Sequence, residues 1–437
     1  MDKEKNKTEG NNQEFLTKTS IDQKNTENSV IKIFQKYGFD INDAESFVNQ
    51  INFNPQIHYN YAASMIYNLP PSFKYLDSGM PWFTYWILNI LEITNIQDYE
   101  LPHSLKLKFV EILKELQHPE GGFRGYSYGI PHLASNYAAI LAICLLGIKE
   151  AYEIVNIDKM RRYLKSMKNN NINKEGTSSF SDFKGNFILE KEDVDKLNSY
   201  RTSWPGAFQM HSCGESDLRA TYCALIVADI LNLIDHELTY GVIDNIKNCQ
   251  TVEGGLGPEP YCEAHGGYTF CGVASLILLN KLDVIDINKL LYWLTNRQMN
   301  KEGGFSGRTN KLVDSCYSFW QASVFSMITI ADKERFSFSD ELLFNQLALQ
   351  SYITHCCQEP SGGLMDKPGT RPDLFHTNYS LCGLSLSETT FIKDVPILLG
   401  DDPSLELNRI HPVYSINGNK VTEAKKYFKE KVGKLIN

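Results

Sequence analysis

Apolar positions along this chain fall into two alternating kinds of segment. DLRATYCALIVADILNLI (217–234), YTFCGVASLILLNKL (268–282) and DSCYSFWQASVFSMITI (314–330) are apolar nearly all round. Helices of that kind are buried on every side. Between them run ELTYGVIDNIKNCQ (237–250), INKLLYWLTNRQ (287–298) and ELLFNQLALQSYITHCCQ (341–358), each with an apolar stripe on one face. These suit helices that keep the other face in water. The alternation predicts helical hairpins, one helix inside and one outside.

A turn motif punctuates the pattern. It reads QHPEGGFRG (117–125), CQTVEGGLGPE (249–259), RQMNKEGGFSGR (297–308) and CCQEPSGGLMDK (356–367), with WPGAFQM (204–210) as a degenerate copy. The Gln-to-Gln steps of 48 and 60 residues point to stacked supersecondary units. Gly-Gly ends one helix and re-aims the chain, because glycine tolerates positive φ at a helix C-terminus. The fold class predicted is all-α: an α/α toroid, a closed ring of about six hairpins whose inner helices line a cavity. One domain is expected over 30–437. The polar stretch 1–29 reads as a disordered arm, and the Asn-, Ser- and Lys-rich stretch 169–204 reads as a loop inserted between repeats.

Charge and composition narrow the function. A net charge of −9 gives no footprint for nucleic acid. The longest apolar run, YAAILAICLLGI (137–148), is too short to cross a bilayer. The first 29 residues lack the apolar core of an export signal, so a cytoplasmic protein with ten reduced cysteines is expected.

The chemistry should sit where inner helices begin, since free N–H groups there favour an anion. The starts are PWFTYW (81–86), PHLASNY (131–137), DLRATY (217–222), EAHGGYTFC (263–271), RTNKLVDSCYSFW (308–320) and DLFHTNY (373–379). Asp314, Cys316 and His376 offer carboxylate, thiolate and imidazole, three zinc-ligand types with a fourth position left open. The same residues also suit a capping Asp, a core Cys and a satisfied His. Asp373 is either a partner of His376 or another cap. His265, Arg308, Lys311 and Tyr317 could hold a diphosphate, Arg by its fork and Lys as a point charge. They could also be ordinary surface groups. Trp82, Trp86, Tyr222, Tyr268, Trp320 and Tyr379 would line a site for a long apolar chain or simply fill the core.

Four longer strings carry a resemblance. DLRATYCA, EAHGGYTFCG, EGGFSGRTNKLVDSCYSFWQA and GGLMDKPGTRPDLFHTNYSLCGLS, with HPVYSINGNKV (411–421), closely resemble the beta subunit of protein farnesyltransferases. The resemblance covers about residues 60 to 430 outside the 169–204 insert. It implies a toroid that pairs with a separate alpha subunit. It also implies farnesyl transfer from farnesyl diphosphate to a Cys in a C-terminal Cys-aliphatic-aliphatic-X motif. The family's zinc ligands fall on Asp314, Cys316 and His376, and its diphosphate residues on His265, Arg308, Lys311 and Tyr317. Isoprenoid-lining positions fall on Trp82, Arg219, Tyr222, Gly267, Tyr268, Cys271 and Trp320, and the acid linked to magnesium dependence on Asp366. Trp82 and Tyr379 match the residues that close the pocket floor in the farnesyl enzymes.

Two positions depart from the family pattern. Phe375 stands where Tyr is usual, and Ser135 where Pro is usual. They imply an altered preference for the last residue of the acceptor; a steady-state comparison of peptides differing only there would abandon the idea if it returned the usual Met, Ser and Gln. Three rival readings remain. A geranylgeranyltransferase type I beta subunit would take the longer lipid. A terpene cyclase would need an Asp-x-Asp-Asp string, which the sequence lacks. A non-catalytic binding toroid would need no zinc.

Overall fold

The computed structural model describes residues 17–38, 53–67, 78–96, 100–169, 204–336, 343–388 and 405–436. Helix α1 (Lys18–Lys36) comes first. Six hairpins follow, each an outer helix and then an inner one. They are α2 (Pro55–Met65) with α3 (Met80–Ile93), α4 (His103–Leu116) with α5 (Leu133–Leu146), and α6 (Ile157–Ser166) with α7 (Leu218–Ile230). The other three are α8 (Val242–Asn248) with α9 (Gly266–Leu278), α10 (Ile287–Thr295) with α11 (Tyr317–Ala331), and α12 (Gln346–Ser351) with α13 (Leu374–Glu388). Helix α14 (Gly418–Ile436) closes the described chain.

The inner helices touch in sequence, α3 to α5 to α7 to α9 to α11 to α13, and α13 returns to α3. The ring is therefore closed, as the alternation predicts. Burial follows the same division. Every residue of α5 except Ala134 is buried, whereas α4 buries only the stripe Leu105, Phe109, Val110, Leu113 and Leu116.

The repeated glutamine has a mechanical role. Gln250 donates from Nε2 to the Gly254 carbonyl (3.0 Å) and the Asp286 carbonyl (2.9 Å), and its Oε1 accepts from Asp286 N (2.8 Å). Gln298 repeats this with Gly303 and Asn345. Asp286 and Asn345 cap the next outer helices, so each glutamine ties its own turn to the following repeat. Gln358 does the same across the seam: its Oε1 meets His58 Nε2 (2.9 Å) and Asn54 N (3.5 Å), at the start of α2. The first glycine of each pair is equally constrained. At Gly254, φ is +110°, and a Cβ would lie 2.0 Å from the Lys289 carbonyl oxygen. The degenerate turn at 204–210 belongs to the series, since Phe208 bridges to Lys168 as Phe123 does to Gln117.

One boundary needs correction. The stretch 1–29 was expected to be a disordered arm, but residues 18–29 form most of α1. Thr17 caps this helix by accepting from Ser20 N, and Val30 and Phe34 are buried on one face. Polar side chains fix the rest: Gln23 donates to Glu302 (2.7 Å) and Lys301 pairs with Glu27 (2.6 Å). Polarity was read as disorder because these partners lie far away in sequence. Residues 1–16, and the 169–204 insert apart from its ends, lie outside the described residues. Those ends meet: Asn169 N donates to the Ala207 carbonyl (2.9 Å).

The segment 411–416 plugs the ring. Ser415 Oγ meets Tyr85 Oη (2.8 Å) and Tyr137 Oη (2.7 Å), and its carbonyl accepts from Asn89 (3.0 Å). Tyr222 donates to the Val413 carbonyl (2.6 Å). Three inner helices thus anchor polar side chains on one stretch of chain, which gives those groups partners inside the ring.

Buried and half-buried histidines should make this fold acid-sensitive. Burial pushes His58, His265 and His411 each down to about 4, with Arg308 adding to the effect at His265 and Lys425 at His411. Gln358 opposes it at His58, Glu263 at His265 and Asp229 at His411. In the unfolded chain each would titrate near 6.5. Between these values unfolding takes up protons, so stability present in full above 6.5 is lost as pH falls toward 4. Urea midpoints should therefore drop steadily over that range; a flat profile contradicts the assignment.

Candidate metal centre and prenyl cavity

The turn after α10 carries the chain to the ring's mouth. Asp314 N donates to the Phe305 carbonyl (3.0 Å), and Ser315 N to the Asp366 carbonyl (2.8 Å). Cys316 N then donates to Asp314 Oδ1 (2.9 Å). From the neighbouring inner helix, His376 points Nε2 at Asp314 Oδ1 (3.4 Å). Carboxylate, sulfur and imidazole atoms of Asp314, Cys316 and His376 lie within 4.8 Å of one another. Asp373 settles both of its possible roles. Its Oδ1 accepts from His376 N (2.8 Å), and its Oδ2 accepts from His376 Nδ1 (2.6 Å). The Nδ1 proton is thus fixed and Nε2 faces the cluster, as a carboxylate-oriented metal ligand requires.

The electrostatics fit a cation. Burial, with Asp314 beside it, pushes the Cys316 thiol well above its ordinary range. Burial alone would lower His376, but its bonds to Asp314 and Asp373 hold it up to about 10. Burial would raise Asp314, yet bonds from His376 and Cys316 bring it down on balance. A positive charge is welcome among these groups, and a proton on His376 supplies it when no metal does. The donor set fits zinc, with one coordination position free.

A second cluster lies beside it. His265 caps α9 and accepts from Gly267 N on Nδ1 (3.0 Å), so its ring proton is on Nε2. That nitrogen faces Tyr317 Oη at 3.1 Å. Depressed to about 4 by burial and then by Arg308, His265 is a neutral donor at neutral pH. Arg308 pairs with Glu263 (3.0 Å), a partner the sequence reading missed. Lys311 is exposed and lines a groove beside α1.

Between the helix starts opens a cavity of about 480 Å³, within the range of small-molecule sites. Trp82, Arg219, Tyr222, Cys271 and Trp320, five of the seven positions the resemblance names, line it together with Trp86, Tyr379 and Phe375; Gly267 and Tyr268 are not in the lining. Aromatic rings form its wall: Trp82 lies 5.4 Å from Trp86 and 5.6 Å from Tyr137, and Trp320 lies 4.4 Å from Tyr379. Arg219 is held by Asp217 (2.6 Å) and stacks over Tyr268 at 5.5 Å, and Tyr268 in turn flanks His265. At Gly267 a Cβ would meet nothing but the His265 ring, at 3.4 Å. Phe375 packs against Trp86, whereas Ser135 is buried beside the lining residue Ala134. Met210 and Glu215 also line the cavity and were missed. The degenerate turn 204–210 was their only signal.

Asp366 does not make a magnesium cage. Its carboxylate is engaged by the Lys367 backbone N–H, by Lys367 Nζ and by the Thr370 hydroxyl. Magnesium binds through one or two carboxylates plus substrate phosphates, and here the single carboxylate is ion-paired.

Fold and site together define a prenyltransferase. The family model described as the prenyltransferase alpha-alpha toroid domain matches residues 53–416. Among curated proteins, the farnesyltransferase beta subunit of Arabidopsis thaliana is 32% identical, covering 94% of this chain and 90% of that one. That of Schizosaccharomyces pombe is 37% identical over 76% of this chain and 78% of its own. The geranylgeranyl transferase type-1 beta subunit of Arabidopsis thaliana aligns over only 42% of this chain, at 36% identity. Among solved structures, Candida albicans protein geranylgeranyltransferase-I complexed with GGPP superposes with a TM-score of 0.65. It is 22% identical and covers 86% of this chain and 99% of its own, which speaks for the fold alone. The chain belongs to the protein farnesyltransferase beta-subunit family. Among the described residues no helix is long and apolar enough to cross a membrane.

Proposed function

We propose that this chain is the catalytic subunit of a zinc-dependent protein farnesyltransferase, working as a heterodimer with an alpha subunit on proteins that end in a Cys-aliphatic-aliphatic-X motif. One observation carries the reading. Residues 308–317 join two members of a cluster of metal-ligand types to the Tyr317–His265 pair and Arg308, and Trp320 on the same helix lines an aromatic cavity.

Asp314, Cys316 and His376 would hold the zinc. When bound, it supplies a charge that keeps an acceptor cysteine as thiolate at neutral pH. The aromatic wall holds the farnesyl chain and excludes water from it. The acceptor sulfur forms a bond to C1 of the allylic diphosphate as the C1–O bond breaks, and that electron pair leaves with the diphosphate. His265 Nε2–H and the Tyr317 hydroxyl are neutral donors placed where the leaving charge grows, and Arg308 adds a fixed positive charge. Lys311 reaches that charge from the groove side.

The test is transfer to an acceptor peptide by the co-expressed heterodimer, comparing farnesyl with geranylgeranyl diphosphate, with and without magnesium. Farnesyl should be preferred. Trp82→Ala should shift the ratio toward geranylgeranyl by more than about tenfold, because it removes the indole that shortens the cavity. An unchanged ratio in that variant removes Trp82 from the floor, and no transfer of either lipid removes the function.

A further inference from the structure

Among the described residues Arg297 is a buried cation without an anion. It is 8% exposed, and among those residues its Nε has no hydrogen-bond partner and it makes no ion pair. Burial lowers its basicity, with only Glu253 opposing. Glu253 is already engaged, accepting from Trp293 Nε1 (3.2 Å) and the Thr309 hydroxyl (2.8 Å). The guanidinium lies 5.3 Å over the Trp293 ring, a contact that offsets part of its desolvation. A buried charge left unpaired is costly, so a fold that retains one beside a cavity has a place for a counter-charge.

That place is a groove of about 1020 Å³ between α1 and the turn 296–311. Lys24, Arg297, Lys301 and Lys311 line it against a single carboxylate, Glu27, which leaves an excess of three positive charges. Glu27 is consumed by Lys301. Hydroxyls and amides of Ser20, Ser306, Thr309 and Asn310 complete the lining. The wall shared with the reaction site is one short segment. On one side Gly307 receives a hydrogen bond from Gly266 N (2.8 Å), and Arg308 pairs with Glu263. On the other side Ser306, Thr309, Asn310 and Lys311 face the groove.

We propose that this groove is a second anion site, which receives inorganic diphosphate after the prenyl group has left it. The inference rests on the assignment of His265, Arg308 and Tyr317 to the leaving group. Its chemistry suits the ligand. A diphosphate carries several negative charges and many acceptor oxygens, which match a bidentate guanidinium, lysine ammonium groups and hydroxyl donors. Lys311 stands at the junction and can follow the anion from one side of the wall to the other. An acidic segment of the alpha subunit is the competing occupant, and it would leave no room for the anion.

The experiment is a calorimetric titration of inorganic diphosphate into the heterodimer already saturated with farnesyl diphosphate and lacking acceptor peptide. A further equivalent should bind, weaken as salt is raised, and weaken about tenfold in Lys24→Gln and in Arg297→Gln, the loss of one charge-assisted hydrogen bond in each. Lys24→Gln alters a solvent-facing side chain of the capped helix α1 and guards against a folding defect in Arg297→Gln. Neither substitution should lower the first-turnover rate of farnesyl transfer. Absence of the further equivalent in an enzyme that transfers farnesyl normally overturns the proposal, as does binding indifferent to both substitutions. An enzyme that transfers nothing counts against the proposed reaction instead; the groove is then judged by the sensitivity of diphosphate binding to the same two substitutions.

Discussion

Cys316→Ala is expected to abolish farnesyl transfer and to empty the metal site together. Among the described residues the cluster has three protein donors, so removing one leaves a carboxylate and an imidazole. Losing even an outer partner of a metal ligand costs about 10- to 100-fold in affinity, so losing the thiolate should cost more. The acceptor cysteine then titrates near its ordinary value of about 8.5 and is mostly thiol at neutral pH. Both effects act on the nucleophile and neither touches the anion cluster. Farnesyl diphosphate should therefore bind to Cys316→Ala almost as well as to the parent. Zinc by elemental analysis, lipid binding by fluorescence and single-turnover transfer separate the cases. Full transfer without zinc would remove the metal from the mechanism. A variant that loses lipid binding as well would mean that Cys316 is a packing residue of α11. Asp373→Asn tests the same cluster more gently, since it keeps the cap on His376 N and weakens only the hold on Nδ1.

The fold was legible because its determinant is a period. Helices buried all round and helices with one stripe differ in sequence, and α5 and α4 show that difference in burial. The Gln-Gly-Gly turns gave the repeat, although the role of the glutamine could not be read from it. Gln250, Gln298 and Gln358 act on the start of the next outer helix, 36 to 47 residues onward for the first two and across the ring seam for the third. Contacts at that distance leave no local pattern. The same reason hid α1, whose polar residues find Lys301 and Glu302 more than 270 positions away. In the site, residue types with unusual chemistry were found, and their supporting partners were not. Glu263 is an ordinary glutamate until Arg308 is seen beside it, and Met210 and Glu215 lie in and just after the degenerate turn, ahead of the helix start at 217–222 that the sequence did mark. Lys311 was named for its charge and by resemblance, and its place in the lining of the groove beside α1 could not be read from either.

Gly307→Ala should slow transfer by about 10²-fold or more while leaving zinc content unchanged. A Cβ at Gly307 would stand 2.0 Å from Tyr317 Cζ and 2.2 Å from its hydroxyl oxygen, so the ring cannot stay where it is. Backbone relief is limited, because the Gly307 carbonyl holds Gly266 N at 2.8 Å and with it the start of α9. Tyr317 is the first residue of α11, and its ring must turn about the side-chain bonds away from His265. The leaving diphosphate then loses the phenol donor. His265 loses the oxygen that meets its Nε2, though Gly267 N still fixes the tautomer. The proposed metal ligands are anchored independently, Asp314 through Phe305 and His376 through Asp373, so a bound metal should stay. The comparison with Tyr317→Phe is decisive. If the hydroxyl is what matters, the two variants should fall together, with farnesyl diphosphate affinity reduced far less than the rate. If Gly307→Ala is much the worse, the turn itself has moved, and Arg308 has gone with it. Rates near the parent in both variants would mean that Tyr317 does not meet the leaving group, and charge stabilisation would fall to Arg308 and His265 alone.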